Sequence, residues 1–184
     1  MKIAYLDIET TYVGNFPFPK LCQDHKHHRL TIIGIRILDG PNDFFVQLVG
    51  DEINKASLMK ALEGVGRIVS YNGRSIPDKQ KGYVGFDFPV IKAQLGVVLD
   101  TVFPHVDLCP LCWKANLWGG LKAVEQTLGL KRKLPGKDGA WADLTWKQYQ
   151  ATHQANLLND LLAYNKEDVY MLRELEVALT DRAR

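Results

Sequence analysis

Asp7 and Glu9 stand two residues apart in the apolar run Ile3-Ala4-Tyr5-Leu6-Asp7-Ile8-Glu9. In an extended chain, residues i and i+2 project from the same face. Two carboxylates side by side in such a frame repel each other and resist burial. A hard divalent cation such as Mg²⁺ held between them removes both conflicts, because it prefers carboxylate oxygens. The spacing also fits an acidic pair facing solvent at a strand edge. Asp87 lies in Gly85-Phe86-Asp87-Phe88-Pro89 at the start of a predicted helix. An aspartate there often serves only as an N-cap, but two phenylalanine neighbours give this one an apolar surround. Tyr164 and Asp168 are four apart in a leucine-rich helical pattern and share a face. A core hydrogen bond accounts for that pair as well as catalysis does. Glu167 projects away from Asp168 and is expected to face solvent.

These residues need elements to hold them. Lys2 to Asp7 reads as a short strand ending in a carboxylate. Leu30 to Leu38 is rich in β-branched residues, and Asp39-Gly40-Pro41-Asn42 is a strong turn signal before a return strand from Phe44 to Val49. Three sequential strands imply an antiparallel start. The pattern then alternates. A helix is predicted over Asp51 to Leu62, capped by Asp51, followed by a strand over Arg67 to Tyr71. Further on come a helix over Phe86 to Leu95, a strand over Val102 to Leu108, and a helix over Gly120 to Leu128 closed by Gly129. A long helix runs from Ala155 to Leu179. Sequential strands followed by alternation give an α/β fold with a mixed β-sheet, its first three strands antiparallel and the later ones parallel, flanked by α-helices. The segment from Asn72 to Gly85 has no periodicity and is the longest irregular stretch.

Taken together, the four sites resemble a known family. Leu6-Asp7-Ile8-Glu9-Thr10, then Tyr71-Asn72-Gly73 leading to Phe86-Asp87-Phe88-Pro89, then Tyr164-Asn165-Lys166-Glu167-Asp168-Val169, are similar to the motifs of the DEDD superfamily of 3′-to-5′ exonucleases. The tyrosine four residues before the last aspartate resembles the tyrosine-bearing DEDDy branch. His105-Val106-Asp107-Leu108 and Gly120-Leu121-Lys122 to Leu128-Gly129-Leu130 extend the likeness over nearly the whole chain. The resemblance implies a ribonuclease H-like fold in a single domain spanning residues 1–184. It implies that Asp7, Glu9, Asp87 and Asp168 ligate two Mg²⁺ or Mn²⁺ ions. Such a pair stabilises the attacking and leaving oxygens of an in-line displacement at phosphorus. Tyr164 would orient the attacking water, since a phenol with a pKa of about 10 is a poor base at neutral pH. The implied substrate is the 3′ end of single-stranded DNA or RNA. Asn72 and Thr10 are candidate substrate contacts. In relatives the asparagine and the Phe-Asp pair stand only a few residues apart, whereas here Asn72 and Asp87 are fifteen positions apart. The extra segment carries Arg74, Lys79 and Lys81, candidate phosphate contacts on a flap over the substrate channel. Alternatively, the insertion moves Asn72 out of the site. A non-catalytic nucleic-acid-binding module and a structure-specific endonuclease are the competing functions.

Composition sets wider bounds. The 184 residues carry a net charge of +2 with 46% hydrophobic and 24% charged residues, values ordinary for a globular domain. The sequence pI near 8.4 permits a nucleic-acid partner without requiring one. Lys131-Arg132-Lys133 with Lys137 forms a second basic cluster, equally readable as a solvated loop. No run of about 18 uncharged apolar residues offers a membrane span. The two early carboxylates argue against a signal peptide, and three cysteines argue against a disulfide framework, so a cytoplasmic location is expected. Cys109 and Cys112 have zinc-knuckle spacing, and Cys22, His25, His27 and His28 could complete a structural Zn²⁺ site, but one CxxC is a weak signal and buried free cysteines are the preferred reading of the pair. Trp113, Trp118, Trp141 and Trp146 could stack on bases or simply pack. His105 and His153 read as structural.

Overall fold

The computed structural model describes residues 1–17, 20–77 and 83–182. Strands β1 (Lys2–Tyr12), β2 (His28–Asp39) and β3 (Asn42–Val49) form the expected antiparallel meander. The β2–β3 turn needs a left-handed residue, and Gly40 supplies it with φ +59°. Strands β4 (Val65–Ser70) and β5 (His105–Asp107) then add in parallel, giving the order β3-β2-β1-β4-β5. The mixed α/β sheet is therefore as read from the sequence.

β1 is longer than expected. Polar residues from Asp7 onward suggest an end there, yet the strand runs on to Tyr12. The cause is unequal pairing. β4 accompanies β1 only as far as Tyr5, whereas β2 pairs with it to Tyr12. Asp7 and Glu9 thus lie where one edge of β1 has lost its partner. An irregularity follows immediately, between Glu9 and Thr10. Bulges of this kind re-aim side chains next to functional sites.

Alternation along β1 assigns the two faces. Ala4, Leu6 and Ile8 join Ile33, Ile35, Leu58, Phe88 and Ile91 in one core. Helices α1 (Lys55–Ala61) and α2 (Asp87–Leu95) cover that side. Tyr5 and Val69 face the other core with Leu108, Val124, Val169 and Leu172. Asp7 and Glu9 share Tyr5's parity and therefore face α7 (Ala155–Arg182). Between these lie α3 (Leu99–Val102), α4 (Leu108–Lys114), α5 (Leu121–Thr127) and α6 (Gly139–Thr152).

Several boundaries differ from the sequence reading. Asn54, not Asp51, caps α1 by accepting the Ser57 N–H at 3.0 Å, and Gly50–Glu52 is a 3₁₀ turn. The segment read as a strand from Val102 to Leu108 splits into the end of α3, the three-residue β5 and the start of α4. Asp107 makes that last break by accepting the Cys109 N–H at 3.1 Å. α6 was not foreseen, because Gly-Ala-Trp-Ala-Asp-Leu-Thr-Trp lacks a clean apolar stripe. Its N-cap is Asp138, which accepts the Trp141 N–H at 2.8 Å, and its end is His153 at φ +53°. Gly129, at φ +70°, closes α5 as expected.

α7 can approach the sheet closely because β2 carries a glycine opposite Asp7. A Cβ on Gly34 would stand 2.2 Å from Asn165 Oδ1 and 2.8 Å from Val169 Cγ2. Gly34→Val is expected to lower the unfolding free energy by about 1–3 kcal/mol through overpacking, read as a lower urea midpoint. An unchanged midpoint would show that α7 can move aside.

Candidate active site

The stretch of β1 just past its pairing with β4 and the middle of α7 bring three acids together. One ligand oxygen from each of Asp7, Glu9 and Asp168 lies within 4.8 Å of the others, and no second group of three His, Cys, Asp or Glu gathers this way among the described residues. Glu9, Asp87 and Asp168 are buried, and Asp7 is half-buried. Asp87 stands outside the 4.8 Å set but is close enough for its charge to be felt with those of Asp7 and Asp168. It opens α2 without capping it, since that helix has no side-chain cap bond. The Asp87 Oδ2 and Glu9 Oε1 atoms are buried without a hydrogen-bond partner. Burial first, then the neighbouring carboxylates, push the carboxyls of Asp7, Glu9 and Asp87 well above their ordinary range. Orphaned buried oxygens beside crowded acids are what a hard divalent cation would satisfy. The residues present fit such an ion.

Asp7 and Asp168 edge a cleft of about 380 Å³, lined also by Asn72, Leu121, Lys122 and Tyr164. Larger cavities of about 510 and 490 Å³ open beside Arg67–Glu176 and Lys26–Lys92. Size does not pick the site; the clustering of charge does.

A family model described as the RNase_H superfamily, RNase_H_2, matches residues 4–180. The chain belongs to the RNase H superfamily. No individual curated protein matches it. RNase H-like nucleases act on nucleic acid with divalent metals, in keeping with the acidic cluster. In this RNase H superfamily chain, Tyr164 lies one helical turn before Asp168 and lines the same cleft. Its hydroxyl oxygen accepts a hydrogen bond from Lys122 Nζ, whose ammonium sits 4.3 Å from the ring centroid. Burial and the charges of Asp168, Glu9 and Asp7 drive its pKa up, so it stays a phenol.

The long insertion leaves Asn72 in place. Phe86 N–H donates to Asn72 O at 2.6 Å, Gly85 N–H to Arg74 O at 2.7 Å, and Phe88 N–H to Gly73 O at 3.0 Å. These bonds clamp the two ends of the insertion, so it leaves and returns at one point. Asn72 sits at φ +61° with its N–H bonded to Asp107 Oδ1 at 2.8 Å. Arg74 is half-buried, with its N–H on Asp107 Oδ2 at 3.2 Å. Lys79 and Lys81 lie outside the described residues. Thr10 Oγ1 is 3.0 Å from His28 Nδ1, and the His28 ring meets Phe86, next to Asp87, edge-on at 4.7 Å.

Three residues of the site had no assigned role in the sequence reading. Arg132 belongs to the cluster read as a basic surface, but its side chain is only 9% exposed. Its Nη2 donates to Glu125 Oε1 at 2.8 Å and its Nε to the other Glu125 oxygen, which leaves Nη1 to donate to Asp168 Oδ1. Glu167, expected in solvent, instead accepts the backbone N–H groups of Lys133 and Leu134 and clips that loop to α7. Asn165 is fully buried; its Nδ2 donates to Asp7 Oδ2 at 3.2 Å, and its Oδ1 accepts from Gln47 Nε2 at 3.0 Å. Asn165 and Asp168 share a helix face at i, i+3, the one sequence signal for that role. Nothing local marks Arg132, because Glu125 lies across the irregular chain after α5 and Asp168 is on a different helix.

The zinc idea finds no support here. Cys109 and Cys112 pack in the second core with no third ligand among the described residues, and burial pushes their thiols up to about 11 and about 12. His105 Nε2 pairs with Ser70 Oγ at 2.9 Å, a structural contact as expected.

The raised carboxyls make a pH prediction. The folded, metal-free chain keeps protons that the unfolded chain releases above the ordinary values of 3.8 and 4.5. Stability should therefore fall as pH rises from there through the raised pKa values, and Mg²⁺ should abolish the slope. Glu9→Gln should raise the melting temperature in EDTA at pH 8 while shrinking the increment that Mg²⁺ adds. Calorimetry reads both, and a lowered apo melting temperature would refute the crowding argument. Arg132→Met should cost about 3–5 kcal/mol without metal, because it leaves Glu125 and Asp168 uncompensated. Mg²⁺ should restore part of that loss, and denaturant titration with and without the ion is the check.

Proposed function

We propose that the chain is a metal-dependent 3′-to-5′ exonuclease of the tyrosine-bearing DEDD branch, acting in one domain on single-stranded DNA or RNA. The observation that carries this reading is Tyr164, a buried phenol one turn from Asp168, facing the cluster of Asp7, Glu9 and Asp168 across one cleft. Asp7, Glu9, Asp87 and Asp168 would hold two Mg²⁺ or Mn²⁺ ions. Such a pair supplies an activated water and neutralises charge on the leaving 3′ oxygen.

The chain's own residues do the rest. Tyr164 cannot act as a base while its pKa is raised, so it orients the water by hydrogen bonding. Lys122 fixes the direction of that hydroxyl. Asn165 holds Asp7 and Arg132 holds Asp168, so neither carboxylate must reorganise when substrate arrives. Asn72, in the cleft, and Thr10, beside Glu9, are the candidate contacts to the terminal nucleotide, with Arg74, Lys79 and Lys81 as candidate phosphate contacts from the insertion. The three unpaired cysteines favour a reducing, cytoplasmic setting.

The test uses end-labelled single-stranded DNA and RNA with Mg²⁺ or Mn²⁺. The 3′ end should be shortened stepwise, Asp7→Ala should abolish the ladder, and Tyr164→Phe should lower kcat by about 100-fold through loss of positioning. Cleavage that persists on a 3′-blocked strand would make the enzyme an endonuclease. Absence of any metal-dependent cleavage would leave only a binding module.

A further inference from the structure

The four tryptophans are not equivalent. Trp146 is buried, Trp141 packs edge-on against Tyr164 at 5.4 Å, and Trp113 is half-buried, whereas Trp118 is 64% exposed. Trp118 is also not randomly placed. Its plane lies within 16° of that of Trp113 at a centroid distance of 6.3 Å, and Tyr83 closes the row edge-on against Trp113 at 4.9 Å. The Tyr83 hydroxyl donates to Asn72 Oδ1 at 2.5 Å, so the inner end of the row is anchored on a residue of the cleft. The outer end is anchored too. Tyr71, another cleft residue, donates its hydroxyl to Gly119 O at 2.7 Å, and the next residues, Gly120, Leu121 and Lys122, line the cleft.

We propose that Trp118 is a stacking platform for an unpaired base of the nucleic-acid strand that runs into the active-site cleft. The proposal rests on the nuclease reading above and names how that site selects its substrate. An exposed indole continuous with the cleft offers a free π-face to any base, whatever its identity. A paired duplex keeps its base faces stacked inside, so the platform takes a single strand. The exposed neighbours Asn116, Gly119 and Gly120 are polar or lack a side chain. Beyond the stacked Trp113 they add no apolar area of the kind a protein partner buries. Lys114, exposed on α4, and Lys122, in the cleft, stand before and after the platform in the chain and can meet phosphates.

The experiment measures binding in an Asp7→Ala background, where turnover stops. The probes are a 5′-fluorescein oligothymidylate, an oligouridylate and a blunt duplex, followed by anisotropy and tryptophan emission. Trp118→Ala should weaken both single strands by about tenfold or more and the duplex little. Trp118→Phe should retain most of the affinity, and the strand-induced quenching of emission should shrink when Trp118 is replaced by Phe. Single-strand affinity unchanged in Trp118→Ala would overturn the proposal, as would an equal loss on the duplex. A Trp118-dependent shift in gel-filtration mass would overturn it in favour of self-association. If the wild type cleaves nothing but Trp118→Ala still loses the single strands, the exonuclease reading fails and the platform stands.

Discussion

Negative charge held in a low-dielectric space is the constraint on which the rest of this structure depends. Asp7, Glu9, Asp87 and Asp168 come from β1, α2 and α7, and burial plus the repulsion of neighbouring carboxylates opposes the ionised forms of Asp7, Glu9 and Asp87. A fold can hold such a cluster only if its frame is rigid and compensating charge is at hand. The frame is the sheet. β1 is paired on both edges up to Tyr5 and on one edge beyond it, so Asp7 and Glu9 project from a fixed strand where one edge has no partner strand.

Compensation comes from two cations that approach from the same side. Arg132 uses its planar guanidinium to hold Glu125 with two nitrogens and Asp168 with the third. A lysine could not make that fork. Lys122 presents a compact ammonium to the Tyr164 hydroxyl and lowers the cost of charge on Asp7 and Glu9. Neither removes the repulsion fully, since Glu9 Oε1 and Asp87 Oδ2 keep no partner. Those unsatisfied oxygens are what a divalent ion would satisfy, and without one they make the cluster a drain on stability. α7 ties these parts together. Its Tyr164, Asn165, Glu167 and Asp168 reach the cleft, β1 and β3, and the loop carrying Arg132, so packing and chemistry share one helix.

The insertion between Asn72 and Asp87 tests how local this design is. Its ends are pinned by three backbone hydrogen bonds and by Asp107, which serves both Asn72 and Arg74. Extra chain length between two such clamps costs little closure entropy. Asn72 and the start of α2 are therefore held together although fifteen positions separate Asn72 from Asp87 in the sequence.

The sequence by itself determined the sheet and the acids. Period-two patterning and the Asp39-Gly40-Pro41-Asn42 turn specify the meander, and the Asp7–Glu9 and Tyr164–Asp168 spacings put side chains on common faces, because both are short-range geometry. It did not reveal α6, whose apolar face is completed by Ile32 and Leu161 from other elements, nor where β1 ends, which depends on how far β2 pairs with it. Only the tertiary structure turned Arg132 and Glu167 inward, buried Asn165 against Gly34, returned Asn72 to the cleft and left Trp118 outside. Each of those outcomes rests on a contact between residues far apart in the chain, which no local spacing encodes.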